Sequence, residues 1–97
     1  MGYKIIISDE AKIDIEHSYL YYKTKVNKKV ANQFFKEFKS SLNIISKNPF
    51  FKIWFDDFHG KPMKKYPFLI FYIVDRENLT IVVARVFHTS QSPEKYP

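Results

Sequence analysis

Two apolar runs, Phe68 to Val74 and Leu79 to Phe87, stand four residues apart and constrain this chain more than any other feature. Between them lies the polar tetrad Asp75-Arg76-Glu77-Asn78. Ile, Val, Phe and Tyr dominate both runs, and such side chains suit a pleated backbone. The short separation predicts a β-hairpin. Nearly every position in each run is apolar, not every second one, so both faces of the sheet are expected to be covered. Pairing Val74 with Leu79 across the turn places Phe68 opposite Arg85. The second strand then carries one cation inside an apolar run, Arg85, and ends at His88. A polar tail follows, Thr89-Ser90-Gln91-Ser92-Pro93.

The rest of the chain supplies cover for that hairpin. Tyr3 to Ile7 reads as a strand, with Ser8 as a helix N-cap after it. Asp9 and Glu10 fall in the first turn, where carboxylates suit the positive end of the helix dipole. Ala11, Ile15, Tyr19, Tyr22 and Val26 recur at spacings of three and four, which marks one face of a helix ending near Lys25. Asn27 is the next N-cap. Val30, Phe34, Phe38, Leu42 and Ile45 form a second helical stripe, widened by Phe35 and Ile44. It runs to Asn48-Pro49, where proline ends the helix. With almost no linker between them, the two helices are expected to form an antiparallel hairpin that packs on the sheet. Phe34, Phe38, Leu42, Ile70 and Val83 should share one core. Phe50 to His59 reads as an aromatic-rich loop with some extended structure, and Gly60 as a bend. Lys61 to Lys65 reads as a short strand, at an edge or a strand start because of Pro62. Tyr66-Pro67 turns the chain into the main hairpin. The expectation is an α+β fold: a small antiparallel sheet in the order β-α-α-β-β-β, with an N-terminal helical hairpin packed on it.

A chain of 97 residues makes one domain, 1–97. The absence of cysteine excludes disulfides and thiolate metal sites and fits a reducing compartment. The apolar run at the N-terminus is too short for a signal peptide core, and no window approaches a membrane span, so a cytoplasmic protein is expected. The net charge of +6 suits nucleic acid, an acidic protein or no charged partner at all.

The candidate sites are few. With only Gly2 and Gly60 there is no phosphate-cradling loop. His17, His59 and His88 lack zinc spacing, and no cofactor is expected. Ser8 and Ser90 lack a nucleophile-elbow context. Asp9, Glu10, Asp14 and Glu16 read as dipole and surface charge. Arg85 requires a partner or a place at the sheet margin; it is either a structural ion pair or a contact to phosphate or protein. His88, at a strand end, is either a strand-end hydrogen bonder or a proton carrier for phosphodiester chemistry. Lys61, Lys64 and Lys65, with Lys52, form a basic cluster flanked by Trp54, Phe55 and Tyr66. It is either a solvated face or a contact for nucleic acid or peptide.

The element order, the helix stripe ending in Asn48-Pro49, the run Tyr66-Pro67-Phe68-Leu69-Ile70-Phe71-Tyr72 and the run Arg85-Val86-Phe87-His88 resemble the RelE/ParE superfamily. These are toxins of bacterial type II toxin–antitoxin pairs, and the resemblance covers nearly the whole chain. It implies growth inhibition relieved by a cognate antitoxin, with a homodimer or a heterotetramer with antitoxin as possible assemblies. RelE-like members cleave messenger RNA on the ribosome without a metal; ParE-like members inhibit DNA gyrase. RelE-like nucleases carry an arginine at the start of the central strand, where this chain has Phe68 and Leu69. The resemblance is therefore closer to ParE, with gyrase as the implied target. The alternatives are a metal-independent ribonuclease or an inactive descendant that keeps the antitoxin surface. In the ribonuclease alternative, Lys64, Lys65 and Arg85 hold phosphates and His88 transfers a proton. Trp54, Phe55, Lys61, Lys64 and Lys65 are the expected partner-binding residues.

Overall fold

Ser8 joins the first strand to the first helix and ties both to the far end of the chain. In the computed structural model, which describes residues 2–89, strand β1 spans Lys4–Ile7 and helix α1 spans Asp9–Lys25. The Ser8 hydroxyl accepts from the Ala11 N–H at 3.1 Å and donates to the Ala84 carbonyl at 2.8 Å. Helix α2, Lys28–Lys47, begins at Asn27, whose side chain accepts from the Val30 N–H at 2.9 Å. It ends before Asn48-Pro49, as a residue preceding proline is driven away from helical backbone. Both N-caps and both helix ends therefore follow the local sequence signals. Most of the expected polar tail, 90–93, lies outside the described residues.

Four strands follow the helices: β2 (Ile53–Phe55), β3 (Phe58–Pro62), β4 (Phe68–Asp75) and β5 (Thr80–His88). The sheet order is β1-β5-β4-β3-β2. Every pairing is antiparallel except β1 with β5, which is parallel. The α+β class and the packed helical hairpin match expectation, with two corrections. The sheet is mixed, because β1 and β5 are joined through the whole intervening chain, as a parallel pair requires. The aromatic loop expected at 50–59 contains a strand pair, so four strands follow the helices instead of three. Its turn is Asp56-Asp57, with Asp56 at φ 46°; aspartate tolerates this left-handed backbone, so the turn forms without glycine. Strand β3 begins at Phe58 and ends at Pro62, three residues earlier at each end than the expected Lys61–Lys65 strand.

The helices cover one face of the sheet. Ala11, Ile15, Phe34, Phe38 and Ile45 from the helices meet Phe68, Ile70, Tyr72, Ile81, Val83 and Val86 from the sheet, with Leu42 and Tyr22 packed against them. Five residues expected to share a core, Phe34, Phe38, Leu42, Ile70 and Val83, therefore do so. The stripes are narrower than their periodicity suggests: Val26, Phe35 and Ile44 are exposed. Val26 is the C-cap residue of α1, past the last helical turn. Among the described residues, the opposite face has no helix. Leu69, Phe71 and Phe87 are buried there under Phe55 and Phe58, so the β2–β3 hairpin supplies the second cover that the continuous apolar runs demand.

The central hairpin pairs differently from the simplest register. Val74 faces Ile81, Arg85 faces Phe71, and Phe68 faces His88. Two causes add. The turn is longer, because Leu79 belongs to it at φ 48° and the Asp75 carboxylate accepts from both the backbone and side-chain amides of Asn78. A bulge then leaves Ala84 without an opposite residue, since Tyr72 pairs with Val83 and Phe71 with Arg85. Without that extra residue Arg85 would follow Val83 onto the helix side and into the core. The bulge sends Arg85 to the other face and returns Val86 to the core.

Tyr72 shows how the core treats a deeply buried phenol. Its hydroxyl donates to the Pro49 carbonyl at 2.7 Å, and burial pushes its pKa up to about 12. The folded-state value lies above the unfolded value, so this contribution is complete below about pH 10 and is lost as pH rises toward 12. Denaturant midpoints measured between pH 8 and 12 should fall at the alkaline end, and Tyr72→Phe should flatten that fall.

Candidate functional site

The far half of β5 has no β1 beside it, because their pairing stops at Ile7 with Val83. The start of α1 closes this open edge. Ser8 takes the Ala84 carbonyl, and the Asp14 carboxylate accepts from the Val86 N–H at 2.9 Å. Asp14 also holds Arg85 in a two-pronged grip, from Nε at 2.8 Å and Nη2 at 3.0 Å. The guanidinium lies over the Phe87 ring, 5.1 Å from its centroid. The hydrogen bonds that Arg85 donates to Asp14 raise the Arg85 pKa above its ordinary value. Of the two readings open for Arg85, the geometry shows the structural ion pair. The sequence did not single out Asp14, which read as surface charge. A signal existed: Asp14 lies three residues after the buried Ala11, on the sheet-facing flank of α1, and an apolar strand carrying Arg85 needs a carboxylate.

Removing Asp14 strands an arginine and a backbone N–H at a half-exposed margin. Asp14→Ala should cost about 1–2 kcal/mol, less than for a fully buried pair because solvent reaches Arg85. Asp14→Asn should cost less, since its amide oxygen still accepts from Val86. Urea midpoints of the two variants check this order.

His88 lies on the helix side, opposite Phe68, with their rings edge to face at 5.1 Å. With His17, Ser18, Tyr21 and Phe68 it lines a pocket of about 510 Å³ against α1. Lys64 and Lys65 lie on the loop between β3 and β4 and are exposed. The Lys65 N–H donates to the Glu37 carboxylate of α2 at 3.1 Å. The four residues of the ribonuclease alternative thus fall into three settings: Arg85 on Asp14, His88 in the α1 pocket, and Lys64-Lys65 beside α2.

The expected partner patch also divides. Lys61 faces Ile70 on the helix side of the sheet and is 7% exposed. Its ammonium donates to the Pro62 carbonyl at 3.1 Å and lies 5.6 Å from the Phe51 ring centroid. Burial lowers its pKa. Lys61 is therefore an interior side chain, separate from the exposed Lys64 and Lys65. Alternation along β3 places it inward, which the charge alone did not reveal. Trp54 and Phe55 lie on the face away from the helices, near Phe71. Trp54 is 43% exposed, with Lys52 over its ring.

Gly60 is no bend but a strand residue of β3, and its missing side chain is what lets Trp54 lie flat. A Cβ at Gly60 would strike the Trp54 ring. Gly60→Ala should push the indole outward. As the chain has one tryptophan, a red shift of its fluorescence reports the displacement directly. An unchanged emission maximum would contradict the packing.

A groove of about 520 Å³ runs between the helices, lined by Ile7, Ile15, Tyr19, Phe35 and Phe38 with Lys12 and Glu16 at its rim. Among the described residues, no group of three His, Cys, Asp or Glu side chains is placed to hold a metal ion. No helix among them is long and apolar enough to cross a membrane.

Solved structures share this arrangement. The chain superposes on a component of the chromosomal ParDE toxin–antitoxin system from P. aeruginosa with a TM-score of 0.79 at 11% identity, covering 90% of this chain and 96% of that one. A chain of the RelBE2 toxin–antitoxin complex from Mycobacterium tuberculosis gives 0.58 at 15% identity, covering 91% and 99%. The isolated E. coli RelE toxin gives 0.56 at 15% identity, covering 96% and 90%. At these identities the likeness is one of fold. No curated protein sequence matches the chain. The model of the ParE toxin of the type II toxin–antitoxin system, parDE, matches residues 5–93. With nearly the whole chain matched and the helical hairpin, mixed sheet and closing strand all in place, the protein belongs to the ParE toxin family of type II toxin–antitoxin systems.

Proposed function

We propose that this toxin arrests growth by binding DNA gyrase, with no chemistry of its own, and that a cognate antitoxin relieves the arrest. The observation that carries the reading is the engagement of Arg85. Both of its gripping donors go to Asp14, so the strand's cation is spent on closing the sheet edge. A metal-independent ribonuclease needs fixed cations on the phosphate as charge develops. Phe68 and Leu69, at the start of the central strand, are buried apolar side chains where such nucleases carry arginine.

A second reading draws on the pocket that places His88 near His17. Two imidazoles at one pocket suit proton transfer, and a ribonuclease would use them as acid and base. His88→Gln separates the readings. Under gyrase inhibition it removes at most one contact, and growth arrest should persist on induction. Under ribonuclease action cleavage and toxicity should drop by roughly 10²-fold or more. Loss of toxicity in a variant that still folds and still binds antitoxin would favour the second reading.

A further inference from the structure

We propose that the exposed lysine face of α2 holds the phosphate backbone of duplex DNA, as the toxin's second contact in a complex with gyrase and its DNA. The placement in that complex rests on the gyrase reading; the DNA contact itself does not. Lys28, Lys29, Lys36 and Lys39 line a shallow trough of about 600 Å³ with Asn32, Gln33 and Phe35. All seven are exposed, and no carboxylate lies among them. At about 100° per residue the four lysines project within roughly a third of the helix circumference. The one acid of this helix, Glu37, is turned to the Lys65 N–H.

The charge placement costs stability, which makes a purely solvating role a poor account of it. Helix α1 opens with Asp9 and Glu10, as the dipole favours. Helix α2 opens with Lys28 and Lys29 and has no acid in its first turn. Two ammonium groups therefore sit on the positive end of the helix, where an anion is attracted and a cation repelled.

The shape selects the anion. From Lys28 to Lys39 the helix advances about 16 Å in a straight line. A regular ladder of phosphates along a duplex matches such a line. Asn32 and Gln33, between the lysines, supply the neutral donors that position a backbone without reading sequence. Single-stranded nucleic acid wants successive aromatic platforms. Here the trough's lining has a single aromatic, Phe35, with Lys39 lying 5.6 Å from its centroid.

The test is fluorescence anisotropy of a short labelled DNA duplex with the purified toxin, without gyrase, between about 50 and 200 mM salt. The wild type should bind, with affinity falling steeply as salt rises. The variant Lys28→Gln/Lys36→Gln/Lys39→Gln should flatten the slope of log affinity against log salt by roughly 2.7, since each phosphate contact contributes about 0.9. The variant Lys4→Gln/Lys47→Gln/Arg76→Gln makes the same change in net charge away from the trough, and should bind nearly as the wild type does. No binding at low salt would overturn the proposal. So would equal losses in the two variants, or tighter binding of duplex RNA or polyglutamate than of DNA. A gyrase supercoiling assay reads the parent proposal separately, so the failure of one is not mistaken for the failure of the other.

Discussion

Phe34→Ala is expected to lower stability by about 3–5 kcal/mol, the range for an aromatic side chain deleted from a filled core. Phe34 is fully buried. Its ring lies 5.3 Å from Tyr22, 5.4 Å from Tyr66 and 5.1 Å from Phe68, centroid to centroid. One side chain thus joins α1, the loop before β4 and the first residue of β4. The neighbours cannot collapse into the vacancy without moving two elements, which sets the cost toward the upper end. Phe38, 2% exposed in the same core, should behave similarly. Phe35, one position along and exposed, should cost under about 1 kcal/mol when replaced by alanine, as surface substitutions usually do. Urea denaturation of the three variants checks the order. Equal midpoints for Phe34→Ala and Phe35→Ala would remove α2 from the core.

Trp54→Ala should weaken antitoxin binding by about 2 kcal/mol, close to thirtyfold, if the aromatic patch of the β2–β3 hairpin docks the partner as the sequence leads one to expect. A half-exposed indole is a strong anchor when it is already held in place. Trp54 is held: Gly60 gives it a flat seat, and Phe71 meets it edge to face at 6.4 Å. Lys64→Ala, on the loop beside α2 and away from the indole, should instead slow association and reduce its salt dependence through its long-range charge. Isothermal titration and stopped-flow mixing read the two effects apart. A complex whose affinity ignores both substitutions places the antitoxin elsewhere, and the apolar groove beside Ile15 and Phe38 is then the surface to examine.

Local signals carried most of the fold. Ser8, Asn27 and Pro49 act through their own backbone and that of near neighbours, so helix limits were legible. The stripe from Phe34 to Ile45 reports one helix face and needed no tertiary information. What escaped was non-local or quiet. The Asp56-Asp57 turn lacks glycine, so the β2–β3 hairpin read as a loop. The bulge at Ala84 keeps Arg85 out of the core, and only the assembled sheet poses that problem. The pair Asp14 with Arg85 spans 71 residues, and no short-range pattern links them. The candidate site was less legible still. Lys61 and Lys64 look equivalent as charges, yet strand alternation buries one and a loop exposes the other.

The central proposal is inhibition of gyrase by a toxin that performs no cleavage. One assay addresses it most directly: purified protein titrated into a gyrase supercoiling reaction, with ribosome-bound messenger RNA treated in parallel. The account predicts that supercoiling is lost as toxin is added, is restored by the cognate antitoxin, and that the messenger RNA stays intact. Undiminished supercoiling together with messenger RNA cut by the wild type, and left uncut by His88→Gln, would contradict it.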